Sequence, residues 1–272
     1  MTRLACSFLL LLAWNAVYAA EDYVETFSDG FNLGGWTYGS PNGHIMQTGG
    51  NPDYYFLDNG LDTYSPHART TLESVFTGDY RGRNVTTVGI DLILHRVDFG
   101  VGQRPLSVML ISKNGTPDDY SDDWAAYHIG PENVPQVGEG WKTFDFEIPS
   151  QATDWPPDWH FIRTGPNAPQ NPDWNFVITA VDQLGFFYGD PELFFIFQMW
   201  EVGMDNPRIT FQSPCFGDLD GDNDIDIADL AALLANYGTT SGAAYEDGDL
   251  DGDGDVDLSD LAALLAVYGT PC

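Results

Sequence analysis

Hydrophobic and polar residues alternate along most of the chain up to residue 212, and the alternation has the period of a strand. In "TFDFEIP", from Thr143, the residues Phe144, Phe146 and Ile148 fall on one side and Asp145 and Glu147 on the other. A period of two places one face on a core and the other in water. "VGIDLILHRVDF" from Val88 and "LSVMLIS" from Leu106 predict further strands. So do "FVITAVDQLGFFYGD" from Phe176 and "LFFIFQMWEVGMDNPRITF" from Leu193. Clusters of Gly, Pro and Asp separate the runs, as turns do. No helical period of useful length interrupts them, so residues 20–212 predict an all-β domain, a β-sandwich of the jelly-roll kind.

The period then changes. Leu230, Leu233, Leu234 and Tyr237 recur at helical spacing, and Leu261, Leu264, Leu265 and Tyr268 repeat them. Gly238 and Gly269 follow, where a left-handed stop belongs. Residues 213–272 therefore predict a small all-α module made of two copies of a loop followed by a helix. "DLDGDNDIDIAD" and "DLDGDGDVDLSD" lie 31 residues apart, each opening one copy.

Within each twelve-residue loop, aspartates occupy positions 1, 3, 5, 7, 9 and 12, the spacing of an EF-hand calcium loop. Calcium takes six to eight oxygens, so the spacing predicts two ions. Asp218, Asp220, Asp222, Asp226 and Asp229 are the side-chain candidates of the first loop, and Asp249, Asp251, Asp253, Asp257 and Asp260 those of the second. Asp224 and Asp255, at position 7, are expected to point outward and to bind through their carbonyls. Ile225 and Val256, at position 8, are expected to pair their short extended segments with each other.

Charge sharpens this picture. The chain carries a formal net charge of −31, which disfavours nucleic acid as a partner. Residues 215–272 hold fourteen acids and no Lys, Arg or His. Repulsion on that scale predicts a segment that folds only around a cation.

Loop-then-helix twice over, with Asp at position 12 and "LAALL" after each loop, resembles the type I dockerin module over residues 215–272. The resemblance implies a calcium-folded module that binds a cohesin domain on another protein. Dockerins of that family often place a hydroxyl pair at positions 10 and 11, followed by basic residues. Here those positions are Ile227-Ala228 and Leu258-Ser259, and the helices carry no basic residue, so the partner-reading positions depart from those of cellulosome dockerins.

Residues 1–19, "MTRLACSFLLLLAWNAVYA", combine a positive start, a short apolar core and small residues before a cleavage point, and predict a signal peptide and a secreted protein. The apolar run is shorter than the roughly 20 residues that a membrane-spanning helix needs. Its removal takes Cys6 and leaves Cys215 and Cys272, an even pair that predicts a disulfide in an oxidising compartment.

The ends of the β-domain, "ETFSDGFNLGGW" and "MDNPRITF", look like the first and last strands of galactose-binding-like jelly rolls. That resemblance implies a structural calcium nearby, with Glu25 and Asp205 as candidate ligands. Trp155 and Trp159, in "DWPPDWH", are candidate stacking faces for a sugar ring, or else caps on the core. No nucleophile elbow, metalloprotease motif or phosphate loop is present, and a glycosidase pair of carboxylates cannot be picked out by spacing. Three readings stay open: a non-catalytic binding domain presented by the docking module, a polysaccharide-degrading glycoside hydrolase carrying it, and a structural surface or matrix protein.

Overall fold

A computed structural model describes residues 22–71, 73–116, 121–163, 165–170, 173–212, 215–221 and 224–270. The expected signal peptide, Asp222 and Cys272 lie outside the described residues. The chain divides between Gln212 and Ser213 into two units. Among the described residues no helix is long and apolar enough to cross a membrane.

The first unit is the expected β-sandwich. One antiparallel sheet runs in the order β3 (Gly43–Gly50), β4 (Asp53–Thr63), β12 (Gln198–Phe211), β6 (Val85–Val97) and β9 (Lys142–Glu147). β1 (Tyr23–Val24) also joins β12, with Tyr23 opposite Ile209. The second sheet runs β10 (Trp159–Arg163), β8 (Trp124–Asn133), β7 (Pro105–Ser112), β11 (Gln183–Tyr188), β5 (His67–Thr70) and β2 (Trp36–Thr37). Alternation does the work anticipated for it: on β9, Phe144 and Phe146 are buried while Thr143, Asp145 and Glu147 are exposed. Inward rings from the two sheets meet, Phe146 against Phe186 at 6.0 Å between centroids and Tyr188 against Trp200 at 6.2 Å. Burying one such side chain contributes about 1.5–3 kcal/mol, so this interface is where the unit's stability resides.

Two predicted strand boundaries move. Residues 174–178 form a short helix, α1 (Trp174–Ile178), because the Asp173 side chain accepts a hydrogen bond from Asn175 N and caps it. The run from Leu193 becomes a strand only at Gln198. Asp190 ties down the backbone of Glu192 and Leu193, so "LFFIF" is a loop whose side chains are mostly outside the core.

The second unit holds α2 (Ile227–Asn236) and α3 (Leu258–Val267), with a single 3₁₀ turn at Tyr245–Asp247 between them. Gly238 and Gly269 follow the helices at φ of +92° and +74°, a conformation that glycine adopts without strain. Ile225, Leu233, Leu250, Val256 and Leu264 make its core. The apolar helix face is divided: Leu233 and Leu264 are fully buried, while Leu234, Tyr237, Leu265 and Tyr268 are exposed. The two position-8 segments do not pair with each other as expected. Val256 instead exchanges backbone bonds with Gly238 and Thr239 after α2, and Ile225 O accepts from Gly269 N after α3. Each loop is thereby tied to the end of the other copy's helix, and the two position-8 side chains meet in the core.

Candidate functional site

Each acidic loop wraps around the carboxylate of its twelfth residue. Asp260 is fully buried; its Oδ1 accepts from Leu250 N (2.8 Å) and Asp251 N (3.2 Å), and its Oδ2 from Asp257 N (2.8 Å). Asp229 does the same with Leu219 N, Asp220 N and Asp226 N. The ninth residue caps the following helix: Asp226 Oδ1 accepts from Ala228 N and Asp257 Oδ1 from Ser259 N, both at 2.6 Å. The first residue folds the loop's turn, with Asp249 accepting from Gly252 N and Gly254 N and Asp218 from Gly221 N. Among the described residues these short loops close on aspartate oxygens that accept from the backbone of the turns.

The carboxylates also converge on one another. Ligand oxygens of Asp249, Asp251 and Asp260 lie within 4.8 Å of each other, and so do those of Asp218, Asp220 and Asp229. A second group in each loop gathers Asp224, Asp226 and Asp229, or Asp255, Asp257 and Asp260. Asp255 thus departs from expectation, since its side chain turns inward, whereas Asp224 at the same position is exposed. Asp253 Oδ1 holds Asp255 N at 3.0 Å, and the positive end of α3 draws the carboxylate toward Asp257 and Asp260. Asp255 Oδ1 is buried without a hydrogen-bond partner. Burial and neighbouring carboxylates, Asp253 foremost, raise the Asp251 and Asp255 carboxyls above the usual range. An all-oxygen donor set with an orphaned buried carboxylate oxygen fits a hard divalent cation. Cys215, just before the first loop, is disulfide-bonded. Ile227 and Leu258, the position-10 residues, are among the most exposed large hydrophobics of the unit, and Ala228 and Ser259 beside them are exposed as well.

In the sandwich the two tryptophans do not act as open platforms. Trp159 is buried and Trp155 half-buried; their rings lie 5.1 and 5.5 Å from that of Trp174, and Trp155 Nε1 donates to Trp159 O at 2.7 Å. Trp155 sits in the loop before β10 and Trp159 opens that strand; Trp159 belongs to the core and Trp155 packs against it. The same segment does line a groove of about 690 Å³ through Pro156, Pro157, Asp158 and Trp159, which His128, Asp145 and Glu147 line as well.

Glu25 and Asp205 engage separate partners. Glu25 accepts from Phe27 N and the Tyr23 hydroxyl. Asp205 is fully buried on β12 and accepts from Asn51 N (2.6 Å) and Asn206 N (2.8 Å), and burial pushes its carboxyl up to about 6 against those bonds. Beside it Asp91 accepts from the Asn51 and Asn206 side chains and pairs with Arg208 at 3.1 Å. Sequence reading missed this network because it joins Asn51 to Asp91, 40 positions on, and to Asp205, 154 positions on.

No family model matches the chain, and no curated protein matches it. Among solved structures it is similar to the family 11 carbohydrate-binding module of Clostridium thermocellum in complex with a mixed-linked tetrasaccharide. The identity is 13%, the TM-score 0.42, and the match covers 72% of this chain and 99% of that one. It is similar also to the C-terminal family 22 module of Clostridium thermocellum Xyn10B, at 12% identity and TM-score 0.35, covering 70% and 92%. A third is the K2 cleaved adhesin domain of Lys-gingipain, at 13% and 0.36, covering 70% and 99%. Likeness at this level is one of overall strand layout and says nothing of a ligand.

Proposed function

We propose that the chain is an exported, non-catalytic binding protein: two calcium ions complete a dockerin-like module, which docks a jelly-roll carbohydrate-binding sandwich onto a cohesin-type partner. The observation that carries the reading is the twinned loop, in which carboxylates converge twice with no cationic side chain in the segment to balance them. Asp218, Asp220, Asp222, Asp226 and Asp229 would hold one ion, and Asp249, Asp251, Asp253, Asp257 and Asp260 the other. Asp224 and Asp255 would contribute at position 7. Calcium, when bound, supplies the positive charge that the clustered carboxylates lack. The docking half is supported by the apolar position-10 residues, which stand exposed at the same place in both copies. The carbohydrate half is supported by the strongly anionic composition only as an exclusion: it repels nucleic acid and other anionic polymers and does not repel an uncharged polyol.

The test uses the full chain stripped with chelator and then titrated with calcium. Metal analysis should return two ions per chain, with a gain of helix on binding. Capture of a partner from exported proteins should then require calcium. No calcium uptake would sink the module assignment, and release of sugars from a polysaccharide would overturn the non-catalytic part.

A further inference from the structure

We propose that the β11–β12 connection, residues 190–197, together with Tyr64, forms an aromatic ridge on which the sandwich holds an uncharged polysaccharide. This placement rests on the carbohydrate-binding reading above and locates its site. The ridge is unusual in what it leaves in water: Phe194 is 76% exposed, Ile196 61% and Phe197 58%, with Leu193 beside them and Phe99 exposed on the β6–β7 loop. Apolar patches of this kind on a folded surface mark a binding site.

The loop is nonetheless held firmly. Phe195 lies under the Arg104 guanidinium, 3.9 Å from the ring centroid, and Arg104 Nη1 donates to Tyr64 O at 3.0 Å. Gln198, buried at the start of β12, accepts from Phe99 N. Phe194 stacks on Tyr64 at 5.3 Å and 26°, and Phe197 packs edge-on against it at 5.7 Å. One face of Phe194 is therefore supported and the ring still stands largely in solvent. A pyranose offers the matching surface, an apolar C–H face with a rim of hydroxyls.

Acceptors and donors for that rim lie alongside. Tyr64 touches Phe187, which shares the outer face of its sheet with Tyr127, and His160 stacks on Tyr127 at 5.2 Å. Burial first, and then the carboxylates of Glu192 and Asp190 on the ridge, push the Tyr127 hydroxyl up to about 12. Among the described residues neither the Glu192 carboxylate nor the Tyr127 hydroxyl has a hydrogen-bond partner. An apolar protein surface pressed here would leave these groups desolvated and unpaired, which is costly, whereas a polyol supplies hydroxyls to both. Anionic polymers and anionic membranes are repelled by the same acids and by the net charge of −31.

The experiment is retention of the full calcium-loaded chain on neutral glucans and mannans, with polygalacturonate as the charged control. Wild type should bind at least one neutral polymer and not the uronate. The double variant Phe194→Ala/Phe197→Ala should lose about tenfold or more in affinity, roughly 1.4 kcal/mol, with the melting temperature lowered by no more than a few degrees, because the rings stack on Tyr64 but stand mostly in solvent. Glu147→Gln, in the separate groove, should bind as wild type. If wild type binds and the double variant binds equally well, the ridge is wrong while the carbohydrate reading survives. If wild type binds no neutral polymer, both fail. Dimerisation or liposome binding that depends on Phe194 and Phe197, without polymer binding, would also overturn the ridge.

Discussion

At the scale of single residues, two aspartates of one loop divide the labour. Asp251 is exposed and accepts one long bond, from Asp253 N at 3.3 Å. Asp260 is buried and satisfies three backbone N–H groups. Leaving buried donors unsatisfied costs about 1–3 kcal/mol each, whatever the metal concentration. Asp251→Ala should therefore weaken calcium binding yet recover wild-type helix content at higher calcium. Asp260→Ala should not recover, and its unfolding midpoint in saturating calcium should fall by the equivalent of roughly 2–4 kcal/mol. Circular dichroism during calcium and urea titrations reads both. Equal rescue of the two variants would show that Asp260 serves only as a ligand. The spacing of these residues was legible in sequence because the convergence of their oxygens is local, confined to a twelve-residue loop. The inward turn of Asp255 was not, since it depends on the electrostatics of a helix end that exists only after folding.

At the scale of elements, strands were legible where polarity alternated, as on β9, and illegible where an apolar run had no alternation to orient it. "LFFIF" has the composition of a buried strand, yet Asp190 and Pro191 turn the chain before it can pair. Trp159, between an aspartate and a histidine, reads as a sugar platform, but its ring is buried against Trp174 in the core. Two glycines test how closely the elements pack. A Cβ at Gly50, on the β3–β4 hairpin, would lie 2.3 Å from Tyr54 O and 2.9 Å from the Asp205 carboxylate. A Cβ at Gly185 on β11 would lie 2.2 Å from Nε2 of His67 on β5, a ring that burial keeps neutral with its pKa lowered to about 3. Gly50→Ala and Gly185→Ala should each cost the sandwich about 1–3 kcal/mol, the ordinary penalty of overpacking. Only the second should be relieved by a partner change, His67→Ala, because its clash is with a side chain and the first is with backbone. Denaturant melts of the four variants complete the cycle. Rescue of Gly50→Ala by Asp205→Ala would contradict the backbone clash.

At the scale of the whole molecule, the two units differ in what holds them. The sandwich has a large aromatic core in which Trp36, Trp124, Trp174 and Trp200 are all fully buried. The C-terminal unit has, among its described residues, five buried hydrophobic residues, and residues 215–272 carry fourteen acids with no base. A core of that size supplies little net stability by itself, and small modules need staples such as a disulfide or a metal. The Cys215 disulfide limits the unfolded chain but does nothing about repulsion between carboxylates. Calcium removal should therefore melt the helical signal of α2 and α3 while the sandwich's own thermal transition stays within about 2 °C, too small a shift for a loss of even 1 kcal/mol. Sodium chloride at about 1 M shortens the screening length to roughly 3 Å. It should restore only part of the helix in chelator, because screening relieves repulsion without providing a ligand for the converging oxygens. Calcium in slight excess should restore all of it at low salt. Helix content that survives chelator at low ionic strength would mean that the disulfide and the small core suffice, and the cation would lose its place in the folding argument.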